Sequence, residues 1–186
     1  LDLQPTDPTA AEYGERLKSL YFADDQCLAN QESYLKYSSD SIFWHGIYRA
    51  VMSRIAHGNG KTFLFRFHVN AALNLYKINK KCTQYEGASH VDDLFYLFKS
   101  IHADAPARDS KEFNVVQKMI AIFTNFAVTG SPNCDAIPIK FVAQNNADKL
   151  SCVQITENDL TEIELPELKN LKVWNSIYED HDVPLY

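Results

Sequence analysis

Residues 87–98 read GASHVDDLFYLF, a Gly-Ala-Ser turn followed by two acids and an aromatic-rich apolar run. Ser89 and Asp92 have the spacing of a capping box, in which the two residues bond each other's backbone N–H groups. The stretch therefore predicts the start of a short helix. His90 lies inside the turn, and its pattern leaves two interpretations open: a structural histidine at a helix start, or a proton carrier that faces a pocket.

The segments on either side of this turn indicate the fold class. Residues 61–69, KTFLFRFHV, are bounded by turn-forming residues and predict a buried strand. Residues 110–133, SKEFNVVQKMIAIFTNFAVTGSPN, carry apolar side chains at steps of three and four, which predicts an amphipathic helix that Gly130 ends. A strand, a turn with a histidine and a long helix thus follow one another in the chain.

Helical and strand-like patterns alternate along the rest of the chain. Helices are predicted over residues 9–22, within 31–40, within 39–60 and over 166–179, and short strands over 137–143, 151–156 and 161–165. Asp40 or Ser41 is the expected cap of the third helix. Helices between strands predict an α/β fold. Since a single strand is predicted before residue 130, we expect part of a larger sheet.

The composition narrows the classes of function. The 186 residues are 46% hydrophobic and 12% aromatic, which is enough for a sizeable core. A formal net charge of −6 argues against a nucleic-acid groove, which needs clustered basic residues, and Lys77, Lys80 and Lys81 are too few to reverse this. No apolar run is long enough to predict a membrane span.

Cysteines and histidines give no metal signature. Cys27, Cys82, Cys134 and Cys152 form no CxxC pair, which excludes the common zinc and redox motifs. A Cys134–Cys152 disulfide and free thiols remain alternatives. No histidine pair has a metal-ligand spacing, so no metal site is predicted. The sequence contains no Asn-X-Ser/Thr site, which favours a cytoplasmic or microsomal protein over a secreted one.

Ser89 also begins a pattern similar to a nucleophile elbow, Gly-X-Ser-X-Gly. Val91 stands where the second glycine would allow the tight turn, and a β-branched side chain fits such a turn poorly. Ser89 is therefore predicted to be a helix cap and not a nucleophile.

The histidine segment resembles that of type B carboxylesterases, the cholinesterase-like branch of the α/β hydrolases. The matching residues are Gly87, His90, Asp93, Tyr96 and Phe98. Residues 126–133, FAVTGSPN, are similar to the family's helix end, Phe-Ala-X-Thr-Gly-X-Pro-Asn. Residues 43–49, FWHGIYR, look most like insect α-esterases, the detoxifying members of the family.

The resemblance implies that residues 1–186 are the C-terminal part of a single carboxylesterase domain, incomplete by itself. It implies a serine esterase that forms an acyl-enzyme, with His90 as the catalytic general acid and base. These hydrolases place serine, acid and histidine in that chain order. The chain begins at Leu1, so we expect the nucleophile and the acid upstream of it and no activity from this chain alone. Asp92 is expected to be a helix cap, and Asp93 a structural acid.

The same resemblance suggests Tyr76 and Phe43 as substrate-binding residues, with core packing as the alternative for both. The expected substrate is a small uncharged carboxylic ester, and no metal or organic cofactor is required. The oligomeric state stays open. A cholinesterase-like binding or adhesion protein and an inactive truncated fragment are the alternatives, and the retained His90 favours the enzyme.

Overall fold

The computed structural model describes residue 4, residues 6–22 and residues 30–184, so Cys27 lies outside the described residues. The chain divides into two compact units. We call them the helical unit, which takes in Leu1–Gly60, Asn146–Lys149 and Leu165–Tyr186, and the sheet unit, which takes in Lys61–Asn145 and Leu150–Glu164.

Among the described residues of the helical unit, four α-helices and a π-helical turn are present. They are α1 (Pro8–Tyr21), α2 (Gln31–Ser39), the π turn (Asp40–Trp44), α3 (His45–His57) and a C-terminal helix (Leu168–Glu179). Asp7 caps α1, because its carboxylate accepts a 2.9 Å bond from the N–H of Thr9. The four helices predicted for these parts of the chain are confirmed.

The predicted cap of α3 is wrong. The chain runs from α2 through the π turn into α3 without a break, and the N–H of His45 bonds the carbonyl of Asp40. The Asp40 carboxylate does not cap, because it is buried and accepts bonds from the Tyr21 hydroxyl at 2.7 Å and the Asn170 amide at 3.0 Å. Tertiary hydrogen bonds have replaced the local cap that the sequence suggested.

A three-stranded sheet organises the other unit. Its elements are β1 (Phe65–Phe67), α4 (Leu75–Asn79), a 3-10 helix (Asp92–Tyr96), α5 (Lys111–Thr129), β2 (Ser151–Ile155) and β3 (Leu160–Glu164). The central strand β2 pairs in parallel with β1 and antiparallel with β3. The predicted α/β class is therefore observed.

The strand predicted over residues 137–143 does not form. Ile137 and Phe141 are buried in the core, which explains the strand-like pattern. The side chain of Asn133 bonds the backbone of Phe141 twice, accepting from its N–H at 2.7 Å and donating to its carbonyl at 3.0 Å. One amide side chain thus satisfies main-chain groups that a neighbouring strand would otherwise pair.

Helix α5 has the predicted bounds and buries a narrow face. Ser110 caps its start through a 3.1 Å bond from the N–H of Phe113, and Gly130 ends it in the left-handed conformation. The buried side chains are Val115, Met119 and Ile122. Among its other apolar side chains, Ile120, Phe123 and Phe126 remain exposed.

The sheet-unit core combines the sheet, α5 and the aromatic run of the quoted segment. Its buried members are Val69, Leu73, Tyr96, Val115, Met119, Ile122, Ile137, Phe141, Val153, Ile155 and Leu160. Tyr96, which follows His90 by six positions, is only 1% exposed. The segment with the candidate histidine is therefore anchored in the core directly after the histidine. Among the described helices, none is both long and apolar enough to cross a bilayer.

Candidate active site

His90 lies at the surface of the sheet unit, in the turn between Gly87 and the 3-10 helix. Val91, the next residue, has φ 68° and ψ −3°, which is left-handed backbone that β-branched residues rarely adopt. The helix begins at Asp92, later than the capping-box spacing suggested. His90 is thus presented from a tight, strained turn and not from a helix.

Asp92 is fully buried and is bound entirely through backbone donors. One carboxylate oxygen accepts from the N–H groups of Tyr76 at 3.0 Å and Lys77 at 3.3 Å, and the other accepts from the N–H of Ser89 at 2.8 Å. Tyr76 and Lys77 lie in the first turn of α4, so Asp92 caps that helix instead of its own. The bond to Ser89 is the acid's half of the predicted capping box.

Lys77 presents a second buried charge to the same turn. Lys77 is only 2% exposed. Its ammonium group donates hydrogen bonds to Asn70 Oδ1 at 3.0 Å, to the Gly87 carbonyl at 2.6 Å and to the Tyr85 carbonyl. Burial lowers the pKa of Lys77, while the negative charge of Asp92 opposes that shift. The three acceptors match the three donors of an ammonium group.

Gly87 lies against the imidazole of His68, the residue that follows β1. Gly87 has φ 74°, and a Cβ placed on it would lie 2.5 Å from Nδ1 of His68. Both the backbone conformation and the close approach therefore require glycine at this position. The turn before His90 is packed directly against the end of the sheet.

Tyr96, at the end of the 3-10 helix that follows the turn, is fixed by hydrogen bonds. Its hydroxyl donates a 2.8 Å hydrogen bond to Oδ1 of Asn74, and the amide of Asn74 donates a 2.8 Å bond to the carbonyl of Val69. Burial raises the pKa of Tyr96, so the hydroxyl keeps its proton as a donor. These bonds join the 3-10 helix to the chain that leaves β1.

Two of the three candidate residues lie in the sheet unit and the third lies in the helical unit. His90 and Tyr76 belong to the sheet unit, where Asp92 accepts from the N–H groups of Tyr76 and of Ser89, the residue before His90. Tyr76 is 39% exposed, with Nζ of Lys80 5.3 Å from its ring centroid. Phe43 is 40% exposed and lies in the π turn of the helical unit. Neither aromatic side chain is buried within the described residues, and a substrate-binding role stays a prediction for both.

Ser89 does not stand on a nucleophile elbow. Its N–H is bound by Asp92, and the short helix that follows starts three residues later. Cys134 is a free thiol, so no disulfide joins it to Cys152. Over the described ranges, 6–22 and 30–184 with residue 4, no three His, Cys, Asp or Glu side chains cluster closely enough to hold a metal ion.

Nearly the whole chain is similar to a known protein family. The model of the carboxylesterase family matches residues 3–174, nearly the whole chain. This chain belongs to the carboxylesterase family. The resemblance of the histidine segment to that family is thereby confirmed.

Curated relatives of this carboxylesterase chain are much longer than it is. Esterase B1 of Culex pipiens is 26% identical over 178 residues, 92% of this chain and 33% of that protein. Juvenile hormone esterase of Tribolium castaneum is 26% identical over 106 residues, 55% of this chain and 18% of that protein. Bile salt-activated lipase of Rattus norvegicus is 27% identical over 110 residues, 59% of this chain and 17% of that protein. The chain spans a third or less of each.

A solved structure confirms the fold. The chain resembles juvenile hormone esterase from Manduca sexta, solved with OTFP covalently attached, with a TM-score of 0.72 and 23% sequence identity. The match covers 94% of this chain and 33% of that one. The chain therefore has the fold of part of an α/β hydrolase, as the sequence predicted.

Sequence reasoning missed Lys77 in this carboxylesterase chain. Its pattern grouped it with Lys80 and Lys81 as a short basic run, yet Lys80 and Lys81 are exposed while Lys77 is buried. Its acceptors lie seven to ten positions away along the chain, at no spacing typical of a helix or a strand. No local signal in the sequence could have identified it.

Proposed function

We propose that this chain is the histidine-bearing C-terminal part of a carboxylic-ester hydrolase that works through a serine acyl-enzyme. Membership of the carboxylesterase family supports the reaction class. The observation that carries the role of His90 is its presentation at the surface of a rigidly anchored turn, outside the packed core. A structural histidine at a helix start would have no need of such a turn.

The proposed reaction proceeds in two halves. A serine oxygen attacks the ester carbonyl while His90 takes the serine proton, and His90 then gives that proton to the departing alcohol. In the second half His90 removes a proton from water, which attacks the acyl-enzyme, and returns the proton to the serine. One imidazole thus alternates between base and acid.

The serine and the orienting acid are proposed to lie upstream of Leu1. The 186 residues contain no Gly-X-Ser-X-Gly, and the chain corresponds to about a third of Esterase B1. Asp92 is the buried acid nearest to His90 in sequence. Its carboxylate already accepts hydrogen bonds from three backbone N–H groups, so we do not assign it the role of orienting His90. The structural role of Asp93 stays a prediction.

The proposed substrates are small uncharged carboxylic esters. Tyr76 and Phe43, each about two-fifths exposed, are the proposed substrate-binding residues. An apolar cavity of about 280 Å³ opens beside the 3-10 helix and suits an acyl or alcohol group better than a charged one. Residues that line it include Phe95, Leu97, Phe98, Ala103, Val116 and Ile120. A detoxifying role and a cytoplasmic or microsomal location stay predictions from the resemblance and the composition.

Replacement of His90 tests the proposal. In the full-length protein, His90→Ala should lower kcat/KM for a nitrophenyl ester by at least about a thousandfold, because the serine loses its base. His102→Ala removes an exposed imidazole from the same unit and should leave the rate unchanged. Near-normal hydrolysis by His90→Ala would overturn the role of His90, whereas absence of hydrolysis in the wild-type full-length protein would favour the binding-protein alternative.

The location of the nucleophile has its own test. The 186-residue chain produced alone should not react with a serine-directed organophosphate, whereas the full-length protein should be labelled once per molecule. Intact-mass measurement distinguishes the two results. Stoichiometric labelling of the isolated chain would show that a nucleophile lies within it.

A further inference from the structure

The turn that carries His90 stores backbone strain. Val91 is held at φ 68°, a sparsely populated region that is unfavourable for a β-branched residue. Such a conformation persists only where surrounding contacts impose it. The contacts that impose it here are therefore part of what sets the direction of the neighbouring imidazole.

Two buried charged residues, Lys77 and Asp92, hold the two ends of the turn through hydrogen bonds. Lys77 donates to the carbonyls of Tyr85 and Gly87, ahead of His90. Asp92 accepts from the N–H of Ser89, immediately before His90, and itself forms the first residue of the helix after it. The segment between these anchors is short, so its path is fixed on both sides of the histidine.

Both anchors also involve helix α4: Lys77 lies in it, and Asp92 accepts hydrogen bonds from two of its N–H groups. Lys77 contributes its ammonium to the turn and its own N–H to the Asp92 carboxylate at 3.3 Å. A buried charge is costly unless it is hydrogen-bonded. The Lys77 ammonium meets that condition through two backbone carbonyls and the side chain of Asn70, and the Asp92 carboxylate through two N–H groups of α4 and one of the turn. Lys77 and Asp92 thus hold the turn in place against helix α4.

We propose that Lys77 and Asp92 are positioning residues for His90. They act by holding segment 87–92 in the strained conformation that directs the imidazole, and they touch neither substrate nor the reacting atoms. This inference rests on the proposed function, in which His90 exchanges protons with a serine. Misplacing a catalytic group by about 1 Å can cost about a hundredfold in rate, so anchors of this kind have a kinetic signature.

Lys77→Met is the first test, because methionine fills the space but donates no hydrogen bond. In the full-length protein, kcat for a nitrophenyl ester should fall about a hundredfold while KM stays within about threefold. Rates are expressed per serine that an organophosphate labels at completion, so that unfolded molecules are not counted. Lys140→Met, an exposed lysine of the same unit, is the matched control and should match the wild type.

Asp92→Asn is the second test and covers the case in which Lys77→Met fails to fold. Asparagine keeps the shape but cannot accept from all three N–H groups, since one of its two polar atoms is a donor. We expect kcat per labelled serine to fall by at least about tenfold with KM little changed. Asp135→Asn, at an exposed position of the sheet unit, should have no effect.

A kcat per labelled serine within about threefold of the wild type in both variants would overturn the inference, since the two residues would then stabilise the fold only. A rise in KM at constant kcat would overturn it as well. The His90→Ala result separates this failure from failure of the proposed function. Loss of activity in His90→Ala with normal turnover in Lys77→Met and Asp92→Asn contradicts the positioning role alone.

Discussion

Gly87 and His68 are packed so closely that a single methyl group cannot be placed between them. A Cβ on Gly87 would lie 2.5 Å from Nδ1 and 2.7 Å from Cε1 of His68. Because Gly87 is also in the left-handed region, an alanine there would meet both strain and a clash. This contact sets the position of the turn relative to the end of β1.

Gly87→Ala should therefore destabilise the sheet unit by about 2–4 kcal/mol and lower esterase activity. Gly130→Ala is the matched control, because Gly130 has φ 71° and no atom within 4 Å of the added Cβ. That variant should cost about 1 kcal/mol, the strain alone. Urea unfolding followed by circular dichroism measures both, and equal losses would contradict the packing of Gly87 on His68.

His45 should make the helical unit sensitive to acid. Its ring is 4% exposed and lies between Trp174 and Tyr178, with centroid distances of 5.9 and 4.5 Å. Burial, helped by the charge of Arg49, lowers the pKa of His45 to about 4, from about 6.5 in the unfolded chain. The unfolded state therefore binds the proton first, and stability is lost as the pH falls from about 6.5 to about 4.

His45→Phe should remove this loss, which is on the order of 3 kcal/mol at pH 4. Burial raises the pKa of Asp40 and gives a pH dependence of opposite sign, but both proteins contain Asp40, so their difference isolates His45. Urea unfolding at pH 7 and pH 4.5 measures the effect, with exposed His57→Gln as control. An equal acid loss in wild type and His45→Phe would refute the assignment.

Tyr21 supports a buried carboxylate in the same unit. Its hydroxyl donates to Oδ2 of Asp40 at 2.7 Å and accepts from Nε1 of Trp174 at 2.8 Å. Asp40 is 1% exposed, and its Oδ1 has no hydrogen-bond partner among the described residues. Removing the hydroxyl would leave this carboxylate with a single donor, from Asn170.

Tyr21→Phe should therefore lower the free energy of unfolding by about 1–3 kcal/mol at neutral pH. Tyr34→Phe, at a position that is 54% exposed, should change it by less than about 0.5 kcal/mol. Chemical unfolding curves of the two variants provide the comparison. Equal stabilities would mean that the Tyr21–Asp40 bond contributes nothing.

Local signals account for the parts of the fold that the sequence predicted. Ser110 and Gly130 mark the ends of α5 through a side-chain cap and a left-handed turn, both of which depend on neighbouring residues only. Strands β2 and β3 follow each other directly and were likewise predicted. The family resemblance of the histidine segment, confirmed for the chain as a whole, added the fold class.

Interactions between distant residues explain what the sequence did not predict. Helix α4 has five residues, too few for a periodic pattern, and its cap is Asp92, 15 positions after Lys77. Asp40 looked like a local cap, whereas its partner Asn170 is 130 positions away. Lys77 looked like part of an exposed basic run. Each case depends on tertiary contacts that spacing alone cannot reveal.

The rate at which an organophosphate phosphorylates the nucleophilic serine tests the central claim most directly, because in this step His90 is proposed to take the serine proton. Single-turnover labelling of the full-length protein by an organophosphate, followed by intact mass, gives that rate for the wild type and for His90→Ala. We predict a decrease of at least about a thousandfold in His90→Ala. A labelling rate within about tenfold of the wild type would contradict the assignment of His90 as the base.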